Sequence, residues 1–244
     1  MPNDKIKNQL HLHFIVFIWG FTAILGALIS IDAVPLVWYR VLLASAALYL
    51  VLRIRKVRFD ENWADLIKLA LGGLILGLHW VTFLHAIKIS TVSTTLVSLS
   101  SSAFFVVLIK PFFERKKFQW YELFLALVAI VGFVVIFRSE TVYTEGILVA
   151  LASAFLVALF AVMNSRFIQK YNGSKIAFYE LFFATVFLSG LLLIQGEFTP
   201  DFFKMSGMEW TYLLVLALVC TADPFVVAPN LLKKMSPVTS ILTN

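Results

Sequence analysis

The charged residues of this 244-residue chain fall in clusters separated by long stretches that hold almost none. That spacing constrains the fold more than any motif, because a helix crossing about 30 Å of hydrocarbon needs about 20 predominantly apolar residues. Eight such stretches are present, at about Phe14 to Ile31, Ala33 to Leu52, Leu69 to Ile87, Ile89 to Ile109, Leu123 to Phe137, Gly146 to Phe167, Ile176 to Ile194 and Trp210 to Leu232. The first follows Lys5 and Lys7 as a signal peptide would, but its apolar run is long and no small-residue cleavage site follows Ile31, so it reads as an uncleaved span. With 61% apolar and 14% charged residues, the chain holds far more oily side chains than one soluble core requires. A soluble or disordered protein is thereby disfavoured, and so is a nucleic-acid binder despite the net charge of +6. Cys220, the single cysteine, supports neither a disulfide framework nor a cysteine-based metal site.

The basic residues have a simpler use. If the N-terminus is cytoplasmic, Lys5, Lys7, Arg53, Arg55, Lys56, Arg58, Lys68, Lys110, Arg115, Lys116, Lys117, Arg166, Lys170, Lys175, Lys233 and Lys234 all fall on the cytoplasmic side, sixteen of twenty. Lys88, Arg138 and Lys204 fall outside, and Arg40 lies within a span. This alternation is the positive-inside bias that sets membrane orientation.

The chain also repeats itself. The segment from Ala86 to Leu96 aligns with Leu232 to Leu242 at an offset of 146, with Lys88, Ser90, Val92 and Leu96 matched by Lys234, Ser236, Val238 and Leu242. Trp38-Tyr39-Arg40 aligns with Phe178-Tyr179-Glu180 at an offset of 140. Five spans separate the copies, and an odd number inverts the second relative to the first. Inverted repeats are a hallmark of secondary transporters, whose substrate site lies near the midplane between them.

With Ile18-Trp19-Gly20-Phe21, Trp38-Tyr39-Arg40, Ala86-Ile87-Lys88-Ile89-Ser90, the passage from Glu114 to Phe137, Phe178-Tyr179-Glu180 and Lys233-Lys234-Met235-Ser236-Pro237, the chain resembles the drug/metabolite transporter superfamily, EamA-like permease branch. The resemblance implies an all-α polytopic membrane protein with an inverted five-plus-five helix repeat, of which about eight helices are present. Residues 1–138 would form the first repeat of five spans, and 139–244 an incomplete second of three spans and the start of a fourth. About 47 residues lie between Ser90 and Phe137, whereas the chain stops at Asn244 soon after Ser236. A C-terminally truncated chain is therefore expected, against the alternative of a family variant working with eight helices.

Charges inside spans cost about 2.5 to 3.5 kcal/mol each on insertion scales and are functional candidates by default. Arg40, Glu180 and Asp223 qualify. Helical rise separates the backbone levels of Arg40 and Glu180 by roughly 12 Å, so their side chains could just meet. Arg40 would receive an anionic group such as a carboxylate while Glu180 takes an amine or a proton; alternatively the two form a structural pair. Asp223 is a proton-coupling candidate or a drifted position, and Pro229 likewise looks out of place in a transporter helix. His79 and Trp80 lie mid-span and either line a polar cavity or pack. His85 has no metal-ligand spacing to His79. Gly73 and Gly77 form a small-xxx-small helix-packing pair. Nine hydroxyl residues lie between Ser90 and Ser102, of which Thr91, Thr94, Ser98 and Ser101 form a stripe that lines a path or bonds to its own helix. Trp19, Tyr39 and Tyr179 are candidate aromatic walls or interfacial packing residues.

No phosphate-binding loop, zinc-protease helix or nucleophile elbow occurs in the sequence. The sequon Asn172-Gly173-Ser174 falls on an expected cytoplasmic connection. The expected protein is thus not an enzyme and needs no cofactor or metal. By resemblance it is a secondary transporter, an exporter of small organic metabolites working by alternating access in the inner (cytoplasmic) membrane. Its partners would be the lipid bilayer and a small-molecule substrate, no nucleic acid, with a homodimer left open. Two other readings stand beside it: a non-transporting fragment or interaction subunit, and a membrane enzyme in which His79 and Asp223 would come together.

Overall fold

Backbone N–H and C=O groups inside hydrocarbon have no water to bond to, so apolar stretches of this length satisfy them internally as helices. A computed structural model describes residues 2–114, 120–137 and 143–225. It contains α1 (Pro2–Leu28), α2 (Ala33–Ile54), α3 (Trp63–Ile89), α4 (Val92–Leu99), α5 (Ser102–Glu114), α6 (Trp120–Phe137), α7 (Thr144–Lys170), α8 (Gly173–Gln195) and α9 (Gly207–Leu214). A short 3-10 turn at Pro200–Phe203 precedes α9, which continues as a π-helix over Val215–Ala222. The repeat copy at 232–242, Pro229, Arg115, Lys116, Lys117, Arg138, Lys233 and Lys234 lie outside the described residues.

Among the described residues, six helical segments are long and apolar enough to cross a membrane: Ala33–Ile54, Trp63–Ile89, Val92–Phe113, Thr144–Lys170, Gly173–Gln195 and Gly207–Phe225. His13–Leu28 and Trp120–Gly132 are shorter apolar helices. Together they occupy the places of the eight stretches read from charge spacing. Leu50, Ile54, Ile67, Phe124, Val131, Leu148 and Ile194 are exposed, an apolar exterior that suits lipid rather than water. The chain is an all-α multi-pass membrane protein.

Local chemistry sets the helix ends. The Asn62 side chain accepts from Asp65 N to start α3, and Asn172 accepts from Ser174 N to start α8, which occupies the sequon asparagine in a cap. Gly196 ends α8 in the left-handed region at φ 70°. Ser206 and Glu209 form a reciprocal capping box at α9. The fourth stretch is two helices. Ser98, Ser100 and Ser101 donate to the carbonyls of Thr94, Val97 and Ser98 at 2.8, 2.6 and 2.7 Å around the break, the side-chain competition with the backbone that bends serine-rich helices.

The core lies between the two halves of the chain. Helix α3 packs on α1, α2, α7 and α8, and α2 packs on α8 and the π-helix. Leu36, Leu48, Leu76, Leu84, Leu181, Leu188, Leu213 and Leu216 fill their interface. Glycines let α3 approach α8 closely: a Cβ on Gly73 would stand 2.4 Å from the Glu180 carbonyl oxygen, and one on Gly72 2.7 Å from Glu180 Oε1.

Candidate functional site

Arg40 lies eight residues into α2 and is 1% exposed. Its Nε donates to Thr221 Oγ1 at 2.7 Å, and its guanidinium carbon sits 3.9 Å from the centre of the Trp80 ring. Thr221 can accept there because the π-helix widens the turn: its hydroxyl donates five residues back, to Leu216 O at 2.8 Å, leaving its oxygen free for Arg40. Arg40 Nη1 has no hydrogen-bond partner. Among the described residues no carboxylate stands within ion-pair distance of Arg40, so the charge is held by a ring face and a hydroxyl. A desolvated cation over an aromatic face is stabilised by about 2 kcal/mol, which offsets only part of its burial.

Glu180, also 1% exposed, does not pair with Arg40. Its Oε2 accepts from Asn164 Nδ2 of α7 at 3.1 Å, whereas Glu180 Oε1 and Asn164 Oδ1 are both buried without partners. The neighbours on α3 show the separation. Glu180 abuts Gly72 and Arg40 abuts Trp80, eight residues apart, or about 12 Å of helical rise.

His79 is buried between α3 and α7. Its Nδ1 lies 3.0 Å from Ser153 O and 2.8 Å from Ser153 Oγ, and Ser153 Oγ donates to His79 O at 2.9 Å. With the serine proton committed to that carbonyl, Nδ1–H donates to Ser153 O, which assigns the tautomer. The ring stacks on Phe83 at 6.1 Å. Asp223, in the last described turn, is exposed and makes no contact with His79.

Two other sequence candidates, Tyr39 and Tyr179, hold the bundle ends together. Tyr39 donates to Phe202 O at 3.1 Å and stacks on Phe202 at 5.3 Å, with Trp38 and Trp210 packed at its edges. Ser30 donates to Glu209 at the same end, and Lys88 Nζ donates to Ile29 O at 3.0 Å. Tyr179 donates to Glu61 Oε2 at 2.7 Å at the opposite end. Ser98 is satisfied on the Thr94 carbonyl within its own helix, and Trp19 is half-buried on α1.

Charge spacing did not reveal a latch at the Tyr179 end. Lys175 pairs with Asp60 Oδ1 at 2.8 Å and with Glu61, while Asp65 takes Lys170 at 2.9 Å and the Tyr171 hydroxyl. Three acids around the α2–α3 connection thus bind basic and phenolic groups from the α7–α8 corner. Lys175 holds the Asp60 carboxyl below its ordinary value by hydrogen bonding and charge. The signal was the acidic triplet Asp60, Glu61 and Asp65 within a basic connection.

The sequence matches the model of the EamA-like transporter family over residues 10–138 and again over 144–244. It is 28% identical over 234 residues to an uncharacterized transporter of Archaeoglobus fulgidus, covering 92% of this chain and 79% of that protein. An uncharacterized transporter of Clostridium kluyveri is 24% identical over 198 residues, covering 78% of this chain but only 62% of its own length. A protein of known crystal structure shares the fold at a TM-score of 0.70 and 17% identity, covering 97% of this chain and 83% of that one.

Proposed function

Taking as premise that the chain belongs to the EamA-like transporter family and is a membrane transporter, we propose that it moves a small organic metabolite bearing a carboxylate by alternating access, as an exporter in the cytoplasmic membrane. Residues 1–138 and 139–244 form its two inverted repeats, and its N-terminus faces the cytoplasm. One observation carries the choice of substrate: Arg40 is buried at membrane depth and, among the described residues, its Nη1 has no hydrogen-bond partner and no carboxylate pairs with it. A guanidinium so placed meets a carboxylate through charge-assisted, planar hydrogen bonds.

Trp80 and Thr221 orient that guanidinium, and His79, fixed by Ser153, keeps α3 and α7 in register beside it. Substrate replaces the missing counter-charge. The ends occupied by Tyr39, Phe202, Ser30 and Glu209 on one side, and by the Lys175 latch on the other, then open in turn. A gradient of protons or of another solute drives the cycle.

Thermal-shift measurements on the purified full chain test the substrate class. Amino acids, hydroxy acids and dicarboxylates are compared with their neutral amides. At least one carboxylate should raise the melting temperature where its amide does not, and Arg40→Gln should remove the difference. A bound carboxylate contributes about 1.5 to 3 kcal/mol through such bonds, so affinity should fall roughly 10- to 150-fold. Equal binding of acid and amide would overturn the assignment.

A further inference from the structure

Glu180 and Asn164 are another place, among the described residues, where polar atoms are buried without hydrogen-bond partners, and their pattern is specific. Asn164 Nδ2 already donates to Glu180 Oε2 at 3.1 Å. The two atoms left over, Glu180 Oε1 and Asn164 Oδ1, are both acceptors. A bare carboxylate here would be a charge at membrane depth held by one amide bond, with no cation paired to it among the described residues, which is costly. A single proton on Oε1 removes the charge and supplies the one donor that both orphan oxygens lack.

From this we infer that the Glu180 and Asn164 side chains are a proton site: the carboxyl carries a proton on Oε1 and hands it to Asn164 Oδ1 as a hydrogen bond, closing a two-bond acid–amide pair. An alkali cation fits less well. Transporter sodium sites draw on carbonyls freed by unwound helices, and α3, α7 and α8 run unbroken through this region. Gly72 makes the room, since a Cβ there would stand 2.7 Å from Oε1.

Among the described residues, no charged or titratable group on the surrounding elements bonds Glu180. On α3, Asp65 pairs with Lys68 and with Lys170 of α7, and His79 bonds Ser153. Arg166 of α7 lies over Phe113, and Arg40 of α2 bonds Thr221. On α8 itself, Lys175 and the adjacent Tyr179 are bound to Glu61. Glu180 therefore keeps its proton while this latch is shut. When the latch opens, water reaches the carboxyl from that side and takes the proton, leaving a carboxylate. Its role as a coupling site rests on the transporter reading; its protonation does not.

Infrared difference spectroscopy on the reconstituted full chain, with no transported solute, tests the protonation directly. At neutral pH the wild type should show a protonated-carboxyl stretch that isotope-labelled glutamate displaces and that Glu180→Gln lacks. Asn164→Leu, which keeps the side-chain shape, should move the band to the higher frequency of an unbonded acid. Glutamine imitates the neutral carboxyl, so that variant folds; should it not, isotope labelling and the Asn164→Leu shift still decide. Absence of a displaceable band at neutral pH, or its removal when sodium chloride replaces choline chloride, overturns the inference. Neither result bears on whether Arg40 binds a carboxylate.

Discussion

Gly73 and Gly77 look equivalent in sequence, a small-xxx-small pair on α3, but they meet α8 differently. A methyl group on Gly73 would stand 2.4 Å from the Glu180 carbonyl oxygen, 3.0 Å from Phe183 Cβ and 3.1 Å from Ala184 N. Ordinary contact begins near 3.4 Å, so α8 must retreat by about 1 Å, and the obstacle is backbone that cannot rotate away. Overpacking of this kind costs about 1–3 kcal/mol. A methyl group on Gly77 meets Ala184 Cβ at 3.5 Å, an ordinary contact. There alanine gains helix propensity of up to about 1 kcal/mol. Gly73→Ala should therefore lower the melting temperature by roughly 2–12 °C at about 2–4 °C per kcal/mol, while Gly77→Ala leaves it unchanged or raises it. Fluorescence-monitored unfolding of the detergent-solubilised chain gives both numbers. Equal losses in the two variants, or a neutral Gly73→Ala, would refute the close approach of α3 to α8.

The latch and the caps give further expectations. Lys175→Ala leaves buried Glu61 without its cation, and a charged hydrogen bond is worth about 1.5–3 kcal/mol. Labelling of Cys220, buried in the closed bundle, by a permeant maleimide should then speed up about 10-fold or more; an unchanged rate would show that the latch does not hold the bundle shut. The Asp60 carboxyl is held below its ordinary value, so its contribution is complete above the ordinary carboxylate range and is lost as pH falls through the lowered value. The melting temperature of the wild type should fall over that acidic window, and the fall should shrink in Asp60→Asn. Ser206→Ala removes one half of the α9 capping box and should cost about 1 kcal/mol, read as a small drop in melting temperature.

Much of the bundle was legible because lipid imposes one rule on every residue. Charge-free stretches gave the spans, and the same rule exposed Arg40 and Glu180 as residues that have no business there without a task. What charge spacing hides is whatever carries no charge. Asn164 interrupts no apolar gap, so nothing in the sequence set it beside Glu180. Thr221 is an ordinary hydroxyl until a π-helix turns its oxygen toward Arg40. Counting lysines for orientation used up Lys170 and Lys175 as topology signals, although the same residues meet Asp60, Glu61 and Asp65. Tyr39 and Tyr179 align with one another in sequence, yet each serves a different end of the bundle, as the proposed inverted repeat would place them.

Solute flux in proteoliposomes, with a carboxylate-bearing metabolite that stabilises the wild type, tests the central claim most directly. The wild-type chain should carry it across the bilayer, Arg40→Gln should reduce flux at subsaturating solute at least 10-fold, and the neutral amide should not be carried by either. Flux that is the same in the wild type and Arg40→Gln, or that does not distinguish the acid from its amide, would contradict it.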